Sequence, residues 1–284
     1  MKTVNIDGVT LHLSHPEELP LTWVGQQELM DQMMAAWLIV EEGDLPLNPR
    51  LIGKPGVGKT TLAYAAGKRL GREVYLFQAT MDTRPEDLLV TPVVSDQGRI
   101  QYMASPVVTA MIRGGVLVLD EGNRMSEKSW ASLAPLLDNR RYIESLVAGV
   151  KVKAHPDFRL VATMNDDAST FEIPEYIHSR LQPQILIDFP EPEEEKLILK
   201  QNLPFADEAL LNYVVTFLQL AHRHGERYTV RDGINVARYA LKLALAEKNR
   251  GRGRTNPVVH VPAATRLILG EEALGYLPGE RGQT

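Results

Sequence analysis

The chain has 284 residues, 44% of them hydrophobic and 24% charged, with a formal net charge of −5. This is ordinary globular composition, enough for one large domain or a medium domain with a smaller companion, and the acidic balance argues against a general nucleic-acid binder. There is no cysteine, which excludes disulfides, thiolate metal sites and a cysteine nucleophile, and no apolar run reaches membrane-spanning length.

Residues 1–20, "MKTVNIDGVTLHLSHPEELP", alternate apolar residues with acids and do not read as a signal peptide, so a cytoplasmic location is expected. Residues 22–41 place apolar side chains at helical spacing behind "WVGQ". Next comes "LIGKPGVGKTTLA", residues 51–63. Gly53, Gly58, Lys59 and Thr60 fit the phosphate-loop spacing G-x-x-x-x-G-K-[ST]. Glycines permit positive φ and close approach of a ligand. Successive amides then form an anion cradle, reinforced by the positive end of the following helix. Gly53, Pro55, Gly56, Val57, Gly58, Lys59, Thr60 and Thr61 are therefore the expected nucleotide-binding residues. Lys59 serves the outer phosphates, and the Thr60 hydroxyl serves Mg²⁺. Leu51 and Ile52 end a short buried strand, and a helix follows.

Residues 72–82 read as another buried strand, and residues 91–103 as a hairpin turning at Gly98. In "GGVLVLDEGNRM", residues 114–125, Val116 to Leu119 form a buried parallel strand ending in Asp120 and Glu121. A carboxylate at that strand edge sits beside the phosphate loop in a doubly wound sheet. Asp120 is placed to serve Mg²⁺, and Glu121 to polarise an attacking water, which favours hydrolysis over transfer. Ser126 caps a helix carrying Trp130, Leu133 and Leu137 on one face, and residues 142–154 read as a second hairpin. Residues 158–166, "FRLVATMND", form a third buried strand. Asn165 at its end can meet both the γ-phosphate and the water, or simply cap a turn. Arg180 closes a short helical stretch in residues 171–183; it can reach into a neighbouring subunit's site or be a surface arginine near a helix end.

In this order the motifs resemble an AAA+ ATPase, and within that class the MoxR branch with its relatives, the CbbQ/NorQ-type activators and the modules of midasin. "SPVVTAMIRGGVLVLDEGNRM", "LVAGVKVKAHPDFRLVATMN" and "IPEYIHSRL" carry the likeness, which covers most of residues 20–245. Gly122 departs from the usual aliphatic residue, and Ser179 and Leu181 flank Arg180 where Asp and Phe are usual. The resemblance implies an α/β fold, a doubly wound parallel sheet with a small helical lid. It implies Mg-ATP as ligand, with Val24 and Gly25 in the adenine pocket. It also implies Arg180 as a finger acting in trans and Arg231 as a second sensor acting in cis. A ring homo-oligomer, taken as a hexamer, follows, remodelling a partner protein that in relatives often carries a von Willebrand A-type domain.

"FPEP", residues 189–192, marks the expected boundary between a core of residues 1–190 and a helical lid with tail of residues 191–284. Residues 221–254 hold nine Lys/Arg against three Asp/Glu, a net charge of +6 that leaves −11 elsewhere. Without interleaved aromatic residues this favours a solvated face or an acidic neighbour over nucleic acid. Residues 258–284 give a short strand or hairpin signal, and the histidines offer no metal site. The expected activity is ATP hydrolysis coupled to partner remodelling. A slow nucleotide-dependent switch and a P-loop phosphotransferase are the alternatives. A GTPase is disfavoured by the lack of an N-K-x-D motif.

Overall fold

The computed structural model describes residues 2–20, 22–166, 172–250 and 256–279. Phe171 and residues 251–255 of the basic stretch lie outside them. The chain opens with β1 (Thr3–Ile6), β2 (Val9–His12), α1 (Gln27–Ala36), β3 (Arg50–Gly53), α2 (Lys59–Arg69) and β4 (Val74–Gln78). It continues through α3 (Pro85–Leu88), β5 (Val90–Val94), β6 (Ile100–Ala104), α4 (Pro106–Arg113), β7 (Val116–Asp120) and α5 (Glu127–Leu137). Then follow β8 (Tyr142–Ser145), β9 (Val150–Lys153), β10 (Arg159–Asn165), α6 (Glu175–His178) and β11 (Gln184–Ile187). The last elements are α7 (Pro192–Asn202), α8 (Glu208–Arg223), α9 (Val230–Asn249) and α10 (Val261–Leu269).

Contacts divide the chain into two compact units. The larger comprises Met1–Trp23, Glu28–Gly53 and Gly58–Ile187. Its main sheet has the order β11-β3-β10-β7-β4, parallel throughout. β10 is buried along its whole length and β7 up to Asp120. That is what continuous apolar runs require in a sheet covered on both faces. All five strands therefore end at one edge, where Gly53, Asp120 and Asn165 stand. The second sheet, β1-β2-β6-β5, is a finding the sequence did not suggest. The expected 91–103 hairpin is there as β5–β6, but β2 runs parallel beside β6 and the N-terminal hairpin completes the sheet. β8–β9 is the second expected hairpin. Its strands bury Ile143, Val150 and Val152, while its tip exposes Leu146 and Val147.

Helix α1 is shorter than its apolar pattern. It ends at Ala36, and Trp37 is then buried with its indole N–H donating to the Leu160 carbonyl at 3.1 Å. The apolar residues beyond it lie in an exposed loop. β11 was also not expected. It has four residues of alternating burial on the edge of β3, between Pro183 and Phe189-Pro190, where prolines read as loop.

The smaller unit comprises Val24–Gln27, Lys54–Val57 and Asp188 onward. Leu199, Leu210, Val214, Phe217, Val236, Ala240 and Val261 form its core. α9 begins with a capping box: the Thr229 side chain accepts from Asp232 N, and Asp232 accepts from Thr229 N. Residues 257–269 and 272–276 are helical, correcting the strand signal. Pro257–His260 and Glu272–Tyr276 are 3-10 turns on either side of α10. Val261, Ala264 and Ala273 bury themselves in the helical core, and this burial overrides the β-propensity of "VVHV".

Candidate functional site

β3 hands the chain to the phosphate loop at Gly53. Gly56 and Gly58 have φ of +86° and +100°, the left-handed region that only glycine enters freely. Space also demands glycine there. A Cβ at Gly56 would lie 2.8 Å from Thr229 Oγ1, and one at Gly58 3.1 Å from the Trp23 ring. Gly58 caps α2, so Lys59, Thr60 and Thr61 form the helix's first turn with their amides unpaired within the helix. The Lys59 ammonium is buried and reaches back 2.8 Å to the Gly53 carbonyl.

Beside the loop, β7 delivers Asp120. The Thr60 hydroxyl donates to Asp120 Oδ1 at 2.7 Å. The next residue, Glu121, has φ +53° and ψ +39°. A non-glycine residue held left-handed at a strand end is a mark of functional constraint. This turn aims the Glu121 carboxylate toward β10, where Asn165 Nδ2 donates to Glu121 Oε1 at 3.2 Å. Asn165 is itself locked. Asn123 Nδ2 donates to its carbonyl at 2.8 Å, and its own N–H donates to Asn123 Oδ1 at 3.3 Å. Gly122 has a reason as well, because a Cβ there would meet the Trp130 ring at 3.2 Å. The indole fills the space an aliphatic residue would occupy.

Three participants were not foreseen. The buried Thr163 hydroxyl donates to Asp120 Oδ1 at 2.6 Å and accepts from Glu121 N at 3.0 Å. Arg124 Nε lies 2.7 Å from Glu121 Oε2 without the angle of a hydrogen bond, so the contact is an ion pair. In the smaller unit, Glu194 accepts from Gln26 N at 2.6 Å and packs on Gly25. The Thr163 and Glu194 contacts join residues distant in sequence, so no local spacing announces them; Arg124 stands at i,i+3 from Glu121, a spacing that the irregular turn after β7 kept from being read.

The remaining expected residues lie elsewhere. Arg180 donates to the Tyr176 carbonyl at 2.6 Å and faces Asp138 at 3.5 Å. It lines a cavity of about 450 Å³ with Asp138, Arg141 and Asn48, and Glu121 does not line that cavity. Arg140, foremost, and Arg180 hold the Asp138 carboxyl down to about 2. Arg231 is exposed in the first turn of α9 and makes no ion pair among the described residues. Val24 and Gly25 are half-buried.

Residues 50–181 match the family model of the AAA domain, dynein-related subfamily. An uncharacterized protein of Staphylococcus haemolyticus is 28% identical over 179 residues, which are 61% of this chain and 68% of that one. One of Staphylococcus aureus is 27% identical over the same length, with the same shares. The RuvB Holliday junction branch migration motor of Thermotoga maritima superposes with a TM-score of 0.59 at 16% identity, covering 86% of this chain and 70% of that one. The fold is that of an AAA+ P-loop NTPase. No described helix is long and apolar enough to cross a membrane.

Proposed function

We propose that the chain binds Mg-ATP at its phosphate loop and hydrolyses it with Glu121, in a ring of like subunits that remodels a partner protein. The observation that carries hydrolysis is the position of Glu121, one residue beyond Asp120 and within 3.2 Å of Asn165. A carboxylate so placed can take a proton from water beside the γ-phosphate, while the Asn165 amide orients that water.

The amides of Gly56 to Thr61 and the Lys59 ammonium hold the phosphates, Pro55 and Val57 shape the loop, and Gly53 begins it. Val24 and Gly25 border the base. Thr60 and Asp120, two oxygen ligands 2.7 Å apart, suit a hard cation that keeps most of its waters. Among the described residues no group of three or more His, Cys, Asp or Glu forms a rival site. The chemistry a bound Mg²⁺ supplies there is neutralisation of phosphate charge. Arg180 completes a neighbour's site in trans, and Arg231 touches nucleotide in cis. The 91–103 and 142–154 hairpins meet the partner, for which the MoxR-like likeness suggests a von Willebrand A-type domain.

A second reading, a slow switch acting by binding, is favoured by the Arg124–Glu121 pair at 2.7 Å, which engages one oxygen of the base. Lys59→Ala and Glu121→Gln test the first reading. Lys59→Ala should abolish tight ATP binding. Glu121→Gln should keep binding and lose on the order of 10²–10⁴ in turnover; turnover at the wild-type rate in that variant would refute the role of Glu121.

A further inference from the structure

Apart from Arg231, the basic stretch of residues 221–254 is not assigned to the nucleotide site, and the structure sorts it. Arg238, Lys242 and Lys248 fall on one face of α9 together with Leu241 and Leu245, at spacings of three and four residues. With Phe205 they line a groove of about 900 Å³ in the smaller unit. Phe205 is 71% and Leu245 55% exposed. None of the three cations has an ion-pair partner among the described residues. Asp207, also on the rim, is engaged in capping α8 through Leu210 N at 2.8 Å.

The larger unit carries a surface of opposite sign. After α1, residues 38–47 form a strap, "LIVEEGDLPL". Its shape is fixed from within: Asp44 accepts from Val40 N and Leu45 N, both at 2.8 Å, and Leu47 N donates to the Ala36 carbonyl at 2.9 Å. Leu38, Val40 and Leu47 are 64%, 87% and 53% exposed. Glu41 and Glu42 stand among them, exposed and without ion-pair partners among the described residues. An apolar patch of this kind on a rigid loop marks an interaction surface. Residues 43–48 of the same segment line the cavity that holds Arg180.

We propose that the strap of one copy docks in the α9 groove of a second copy. Leu38, Val40 and Leu47 cover Phe205, Leu241 and Leu245, and Glu41 and Glu42 face Lys242 and Lys248. Strap and groove are different surfaces, so the contact is head-to-tail and repeats around a ring. The inference rests on the reading that Arg180 faces a neighbour, since strap and arginine share one side of the larger unit.

Sedimentation equilibrium of the full chain, with and without a non-hydrolysable ATP analogue, tests it. Reversing the strap (Glu41→Lys with Glu42→Lys) should weaken self-association at least about tenfold, and so should reversing the groove (Lys242→Glu with Lys248→Glu). Mixing the two variants should restore association to within about threefold of wild type, because each then offers the other a complementary surface. Rising salt should weaken the wild-type contact. Variants that associate like wild type, a mixture no better than its components, or a wild type that stays monomeric in both conditions would each overturn the proposal. Binding of a fluorescent ATP analogue, followed in parallel, separates this failure from failure of the nucleotide reading.

Discussion

The Thr163 hydroxyl lies 2.6 Å from Asp120 Oδ1 and donates to it. Thr163 Oγ1 also accepts the Glu121 main-chain N–H at 3.0 Å, so one buried side chain on β10 fixes both acids at the end of β7. With Thr60 also donating to Oδ1, the Asp120 carboxylate is held from two sides. The left-handed Glu121 backbone is pinned by its own amide.

Thr163→Val keeps the shape and removes the hydroxyl. Glu121 N is then left without its acceptor, at a stability cost of about 1–3 kcal/mol. The expected result is a kcat at least about tenfold lower and a higher Mg²⁺ requirement, with little change in binding of nucleotide alone. Thr163→Ser should restore most of both. Steady-state ATPase assays across a Mg²⁺ series check it; a Val variant with wild-type kcat and Mg²⁺ dependence would show that Thr163 only fills space.

Arg124 restrains Glu121. Its removal in Arg124→Gln should free the carboxylate and raise basal turnover about two- to fivefold, the worth of a partly exposed ion pair, without changing ATP affinity. Turnover that falls would instead make Arg124 an activating group.

Glu195 on α7 is fully buried. Gln219 donates to its Oε2 at 2.9 Å, Oε1 has no hydrogen bond, and His222 Nδ1 stands 3.9 Å away. Burial pushes the carboxyl from 4.5 up to about 7, and it also holds His222 below its ordinary value. The folded protein therefore keeps a proton that the unfolded chain releases above 4.5. The contribution of Glu195 to stability is greatest below that pH, falls as pH rises toward about 7, and stays lower above it, by on the order of 3 kcal/mol. Glu195→Gln mimics the protonated acid. It should raise the melting temperature at pH 8 and leave it nearly unchanged at pH 5; equal effects at both would remove the titration of Glu195 as the cause.

Much of the site was legible because its chemistry is contiguous. The phosphate loop keeps its glycines, Lys59 and Thr60 within eight residues, 53–60, and Asp120-Glu121 ends an unmistakably buried strand. What escaped were relations set by tertiary packing. Thr163 lies 43 residues from Asp120 and reads as one β-branched residue in a strand. Gly122 stood out only as a departure from the usual aliphatic residue, and the Trp130 ring that a Cβ there would meet lies further along the chain, on α5. β1–β2 revealed no partner because β6 lies about ninety residues on. Around α10 two prolines give misleading punctuation, Pro257 opening the 3-10 turn before the helix and Pro262 in its first turn. Prolines are tolerated in a helix's first turn, and the burial that makes the segment helical is invisible locally.

The central claim is that each site is completed by a neighbouring copy. Arg180→Ala keeps an intact Glu121 site and lacks the finger; Glu121→Gln lacks the base and keeps the finger. Each alone should be nearly inactive. The decisive measurement is the ATPase rate of the two variants mixed in equal amounts. An Arg180 acting in trans predicts a rate well above the sum of the separate rates, because intact fingers then meet intact sites. A mixture that never exceeds that sum, at concentrations where the copies associate, would contradict the account.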